Sequence, residues 1–248
     1  MLDGWDEAPF EAKVAGRAVR HPVYARGEGS PVVLIQELPG IGPETLRLAD
    51  RLIEAGHRVF MPHLFGPLGR VSMVGNTARV LCMRREFSIF TRGATSPVVE
   101  WLRALCKDVK ARTGAAGVGV IGMCLTGNFA ISLIADESVL AAVASQPSLP
   151  ILGQHDLHMS PGEITAARAA LDTYGPMLAL RFEGDRLCSG AKFDAIDRAF
   201  NDDVERVRLV TLPGRGHSVL TLDFVDREGH PTRQALASVL DYFHERLG

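Results

Sequence analysis

Residues 118–135 pass from strand to helix with almost nothing between them. Val118-Gly119-Val120-Ile121 is a short, largely β-branched run, and Asn128–Ala135 carries the small and apolar residues of a buried helix. Only Gly122-Met123-Cys124-Leu125-Thr126-Gly127 joins them. So tight a turn forces Cys124 into a strained backbone conformation and demands small neighbours. It also sets the sulfur at a helix N-terminus, where the dipole and free N–H groups favour thiolate over thiol. The pattern predicts an element of an α/β sheet with a reactive cysteine just past a strand end.

The rest of the chain repeats the alternation. Strands are predicted over Val32–Gln36, Val59–Met61, Val118–Ile121, Leu140–Ser145, Met177–Phe182 and Val207–Leu212, with an edge strand or hairpin over Arg17–Ala25. Helices are predicted over Glu44–Ala55, Pro97–Thr113, Pro161–Asp172, Gly190–Phe200 and Pro231–Leu247. Such alternation implies a mostly parallel, doubly wound sheet with helices on both faces, here as one domain over residues 1–248. The 63–96 segment, rich in Gly, Pro and Arg, reads either as a solvated amphipathic piece or as a lid with Phe87 and Phe90 facing inward.

Ligands on such sheets bind beyond the carboxyl ends of the strands. Glu37, Cys124, Asp185 and His217 each follow a predicted strand, so four reactive side chains converge on one edge from four places in sequence. A cysteine nucleophile needs a base, and the base needs a carboxylate to fix its tautomer. Cys124, Asp185, His217 is the nucleophile–acid–histidine order of α/β-hydrolases. The backbone N–H groups of Leu125 and Leu38 would form the oxyanion hole.

At these residues the chain resembles the dienelactone hydrolase (carboxymethylenebutenolidase) family. The resemblance rests on Gln36-Glu37-Leu38, Met61-Pro62-His63-Leu64-Phe65-Gly66, Gly122-Met123-Cys124-Leu125-Thr126-Gly127, Gly184-Asp185 and Gly216-His217-Ser218, in this order. It implies an α/β-hydrolase fold and a Cys124–His217–Asp185 triad cleaving a lactone or activated ester through a thioester. It also implies that Glu37 contacts the resting thiol and takes up its proton. Three positions depart from the family. Thr126 replaces a glycine in the elbow, where it would crowd the turn. Thr221 stands where family members that act on dienelactone carry an arginine for the substrate carboxylate, and His63 replaces an aspartate. Arg84, Arg85 and Arg215 are candidate replacements for the lost guanidinium, and His63 is a candidate pocket residue.

Other readings stay open. A small-ligand or redox-sensing binding protein would keep the same pocket without turnover. A biosynthetic cyclase or thioesterase would reuse the same nucleophile. With 27 basic and 29 acidic residues and no basic stripe, nucleic acid is not an expected partner. No apolar run suits a bilayer, and the acidic start of the chain lacks the apolar region of a signal peptide. Four dispersed cysteines without a C-x-x-C predict free thiols in a reducing cytoplasm. Cys82 and Cys106 read as buried apolar residues, and Cys188 as a structural residue near the site. His57 and His244 read as surface or capping residues. The His155/His158 pair is a weak metal signal; no metal or cofactor is expected. The protein is expected to be a monomer or homodimer.

Overall fold

Each apolar run between helical segments becomes a strand, and their alternating side chains divide two cores. The structure, a computed structural model, describes residues 2–38, 40–66, 68, 96–148, 155–157 and 159–248. The strands are β1 (Asp6–Val14), β2 (Arg17–Arg26), β3 (Ser30–Ile35), β4 (His57–Pro62), β5 (Val118–Met123), β6 (Val139–Ser145), β7 (Met177–Phe182) and β8 (Val207–Leu212). The helices are α1 (Pro43–Glu54), α2 (Pro97–Thr113), α3 (Gly127–Leu133), α4 (Pro161–Tyr174), α5 (Gly190–Phe200) and α6 (Pro231–Leu247). One sheet runs β1-β2-β4-β3-β5-β6-β7-β8. It is parallel from β4 to β8, with β1 and β2 added antiparallel.

Side chains two apart on a strand share a face. Val33 and Ile35, Val118 and Val120, and Met177 and Ala179 join the core under α2, α3, α4 and α5. Val32 and Leu34, Ile121 and Met123, and Leu178 and Leu180 join the core under α1 and α6. Both faces of the central strands are therefore dry, which is why these strands read as continuous apolar runs.

Two features differ from the expectations. β1 was not foreseen, because it lies at the sheet edge with mostly exposed residues and lacks the apolar alternation of a half-buried strand. It closes on β2 through Ala15 (φ 48°) and Gly16 (φ 77°), the two positive values that suit a two-residue hairpin turn. His57 is not a surface residue. It is buried at the start of β4, stacked on His244 at 5.1 Å and edge-on to Phe243. His244 does cap: its Nε2 meets the Ala55 carbonyl, past the end of α1, at 2.7 Å. The expected lid lies almost wholly outside the described residues, as do Cys82, Phe87 and Phe90. Among the described residues no helix is long and apolar enough to cross a membrane.

Register sets the site. Ile35 on β3 is paired with Gly122 on β5, and Met123 on β5 with Ser145 on β6. The chain beyond these pairs therefore emerges at one edge. At Gly122 an added Cβ would overlap the Thr126 carbonyl oxygen, a backbone atom that cannot give way without opening the turn. Gly122→Ala is expected to destabilise the fold by about 1–3 kcal/mol. Gly162→Ala, in α4 where a Cβ meets nothing within 4 Å, should be neutral or slightly stabilising. Urea unfolding of the two variants checks the contrast.

Candidate active site

The strand-to-helix turn has the strain that its sequence predicts. Cys124 has φ +56°, one of three positive-φ residues other than glycine among those described. It opens a 3-10 turn, Cys124–Thr126, that runs straight into α3. At Gly127 a Cβ would stand 2.9 Å from the Ser145 carbonyl and 3.0 Å from Pro147, so only glycine lets the neighbouring chain lie this close.

Thr126 does not crowd the pocket. Its side chain is fully buried and ties the turn together. Its hydroxyl accepts from Met123 N–H at 2.9 Å and lies 3.1 Å from the Gln36 carbonyl. The residue that replaces glycine thus cross-links the turn to the end of β3.

Asp185 lies in the turn after β7 and His217 in the loop after β8. The Asp185 Oδ2 and His217 Nδ1 atoms are 2.7 Å apart. The other carboxylate oxygen accepts from the N–H groups of Leu187 and Cys188 at 2.8 and 3.0 Å, so the acid is held on both sides. The His217 loop is pinned by Asp223, whose Oδ2 accepts from the N–H groups of His217 and Ser218 at 2.7 and 2.9 Å. Nε2 of His217 is buried and has no hydrogen-bond partner among the described residues. Burial opposes the charged ring, but the interactions with Asp185 and Cys124 outweigh it and raise its pKa to about 10. The thiol therefore acts directly on the imidazole. The Cys124 sulfur is bonded to Ser148 Oγ, at 3.3 Å.

Glu37 is almost fully buried after β3. Desolvation raises its pKa, opposed by hydroxyl donors on Thr221 and Ser218, the charge of His217, and the Gln146 amide. Ser218 Oγ lies at 3.0 Å and Gln146 Nε2 at 3.3 Å, and the Thr221 hydroxyl also donates to it. These bonds run beside the histidine and do not include the thiol. Thr221 is buried and its hydroxyl donates to the carboxylate, so its position is an internal one. Gln36, beside Glu37, clamps the stretch after β4: its amide donates to the Phe65 carbonyl at 2.6 Å and accepts from Leu64 N–H at 3.0 Å.

Leu38 and Leu125 each lie three residues beyond the paired Ile35 and Gly122, on neighbouring strands at the same edge. The His63 ring is committed to its own turn, with Nε2 2.9 Å from the Gly66 carbonyl. Arg84 and Arg85 lie outside the described residues, and Arg215 is exposed on the loop before His217. Cys188 is buried, as expected, and burial pushes its thiol pKa well up.

Four residues at the site were not singled out from sequence. Gln146, with φ +38°, and Ser148 follow β6, and the rule that selected Glu37, Cys124, Asp185 and His217 would have found Gln146. Asp223 sits just beyond the histidine loop with no signal of its own. Arg181 is a lone cation in the apolar strand β7. Its guanidinium donates to the Cys188 carbonyl at 3.0 Å and the Glu183 carbonyl at 2.7 Å, bracketing the Asp185 turn. Among the described residues no group of three His, Cys, Asp or Glu side chains is placed to hold a metal ion.

The sequence model of the dienelactone hydrolase family matches residues 19–247. A carboxymethylenebutenolidase from Rhodococcus opacus is 26% identical over 210 residues, covering 85% of this chain and 73% of that protein. Among solved structures, a cold-adapted esterase from an Arctic intertidal metagenomic library is 18% identical, with a TM-score of 0.65 over 100% of this chain and 97% of that one. A dienelactone hydrolase from Anabaena variabilis is 16% identical, with a TM-score of 0.58 over 99% of this chain and 100% of that one. At these identities the two structures speak for the fold, an α/β-hydrolase fold with the sheet described above. Since the family match runs from β2 to the last helix and takes in every residue of the site, the chain belongs to the dienelactone hydrolase family.

Proposed function

We propose that this hydrolase cleaves a lactone or activated ester through a thioester on Cys124. The observation that carries the reading is one arrangement: a cysteine at φ +56° on a strand-to-helix turn, beside a histidine held by a buried aspartate at 2.7 Å. The name of the Rhodococcus relative points to the same chemistry.

His217 Nε2 takes the thiol proton, and the Cys124 thiolate attacks the carbonyl carbon. The N–H groups of Leu38 and Leu125 hold the oxyanion. The C–O bond then breaks, the leaving oxygen takes the proton from the imidazolium, and a thioester remains. Water adds to the thioester as His217 accepts its proton. The C–S bond breaks, the acid departs, and the thiolate–imidazolium pair returns. Asp185 fixes the ring tautomer throughout, and Arg181 fixes the turn that carries Asp185.

The substrate departs from the family's best-known type. With Thr221 buried against Glu37, the His217 loop offers no guanidinium at that position to clamp a substrate carboxylate. An uncharged acyl group suits this part of the site. Glu37, held by three side-chain donors that do not include the thiol, serves to anchor the His217 loop and not as the carrier of the thiol proton.

Turnover of p-nitrophenyl acetate by the full chain tests the reading. Cys124→Ala should abolish it, and His217→Ala should lower kcat/KM by roughly 10³-fold or more. Activity unchanged in Cys124→Ala would refute the nucleophile. Stability carries a second signature. Folding raises the His217 pKa from 6.5 to about 10. Below the unfolded value the ring is protonated in both states and its pairing stabilises fully. As pH rises from 6.5 towards 10, the unfolded chain gives up the proton while the folded chain keeps it, and the contribution is lost. The thermal midpoint should therefore fall across this window, and His217→Gln should lose that part of the slope. Superimposable profiles for the two proteins would contradict the pairing.

A further inference from the structure

The hydrogen bond made by the Cys124 sulfur goes to a side chain outside the triad. Ser148 Oγ lies 3.3 Å from Sγ, and Ser148 is 6% exposed. Three separate features of the chain hold it there. Its own N–H donates to the Cys124 carbonyl at 3.1 Å, so serine and cysteine are tied by backbone as well as side chain. Gln146 turns the chain out of β6 at φ +38°, its N–H bonded to the Leu180 carbonyl at 2.6 Å. That turn rests on the elbow at Gly127, where a Cβ would press on Ser145 and Pro147. A positive φ just before a proline is costly for a residue with a side chain, and such strain collects where geometry matters. Here it delivers a hydroxyl to the sulfur.

We propose that Ser148 is a catalytic residue whose hydroxyl donates a hydrogen bond to the Cys124 sulfur whenever that sulfur is anionic. This rests on the reading of Cys124 as the nucleophile. A thiolate has no proton to give, so in the thiolate state the direction of the bond is fixed: oxygen donates and sulfur accepts. The imidazolium of His217 supplies the opposite charge in that state, and the Ser148 hydroxyl adds a second, neutral donor at the sulfur. The same donor acts when the thioester is hydrolysed. Water adds, its proton passes to His217 Nε2, the C–S bond breaks, and the electron pair stays on Sγ, where the Ser148 hydroxyl meets the returning charge. The residue thus favours formation of the thiolate and its departure as a leaving group. It does not determine which acyl group binds.

The test is the pH dependence of Cys124 alkylation by iodoacetamide in the full chain, with the Cys124 peptide followed by mass spectrometry. Wild type is compared with Ser148→Ala, Ser148→Thr and Ser148→Val. Thr and Val have nearly the same shape, so they separate the hydroxyl from packing. The half-maximal pH should rise by about one unit or more in the Ala and Val variants and stay near wild type in Thr. The Ala and Val variants should also show slower hydrolysis of the acyl-enzyme, visible as a larger burst of p-nitrophenol before steady turnover. Profiles for Ala and Val that superimpose on wild type would overturn the proposal. So would a Thr variant shifted as far as Val, since shape and not the hydroxyl would then be responsible. Alkylation reads the sulfur directly, whether or not turnover occurs. A failure of the nucleophile reading shows separately, as ester hydrolysis that survives Cys124→Ala.

Discussion

The left-handed backbone of Cys124 is the constraint around which the edge of the sheet is arranged. A residue with a side chain at φ +56° stays there only when its surroundings leave no alternative. Gly122 removes the methyl that would strike the Thr126 carbonyl, and Gly127 lets the end of β6 approach. Thr126 closes the turn on itself and on β3 through one hydroxyl. The strained conformation points the sulfur out of the sheet towards His217 and Ser148 and keeps it at the start of α3.

Charge is arranged around the histidine. Asp185, held by two N–H groups and by a turn that Arg181 brackets, meets Nδ1. Glu37 lies close enough for the His217 charge to act on it, and three side chains saturate its carboxylate. Asp185 and the nearby Cys124 sulfur favour the protonated ring against the cost of burying it. A thiolate beside such a ring has a partner of opposite charge, which is the state from which the sulfur attacks and to which it returns.

The fold and the order of the site residues were legible because they depend on local pattern. Apolar runs and helical spacing marked the strands and helices, and glycines marked the elbow. The family resemblance read from five short motifs agrees with the match over residues 19–247. What escaped depends on contacts between distant segments. β1 draws its pairing from β2 and carries little apolar signal of its own. Thr126 looked like an intrusion in the turn, but its hydroxyl finds an acceptor at Gln36, just past β3 and 90 residues away in sequence. Thr221 looked like a lost ligand for substrate and is instead a buried partner of Glu37, 184 residues away. Ser148 and Arg181 carry no motif, and only the folded sheet brings them to Cys124 and the Asp185 turn.

The thioester is the central claim, and acid quenching tests it most directly. The full chain is mixed with p-nitrophenyl acetate, quenched during turnover and digested for mass spectrometry. The account predicts an acetyl group on the peptide containing Cys124, removable by neutral hydroxylamine as a thioester should be, and absent from Cys124→Ala. Steady turnover with the acetyl group on another residue, or with Cys124 never modified, would contradict it.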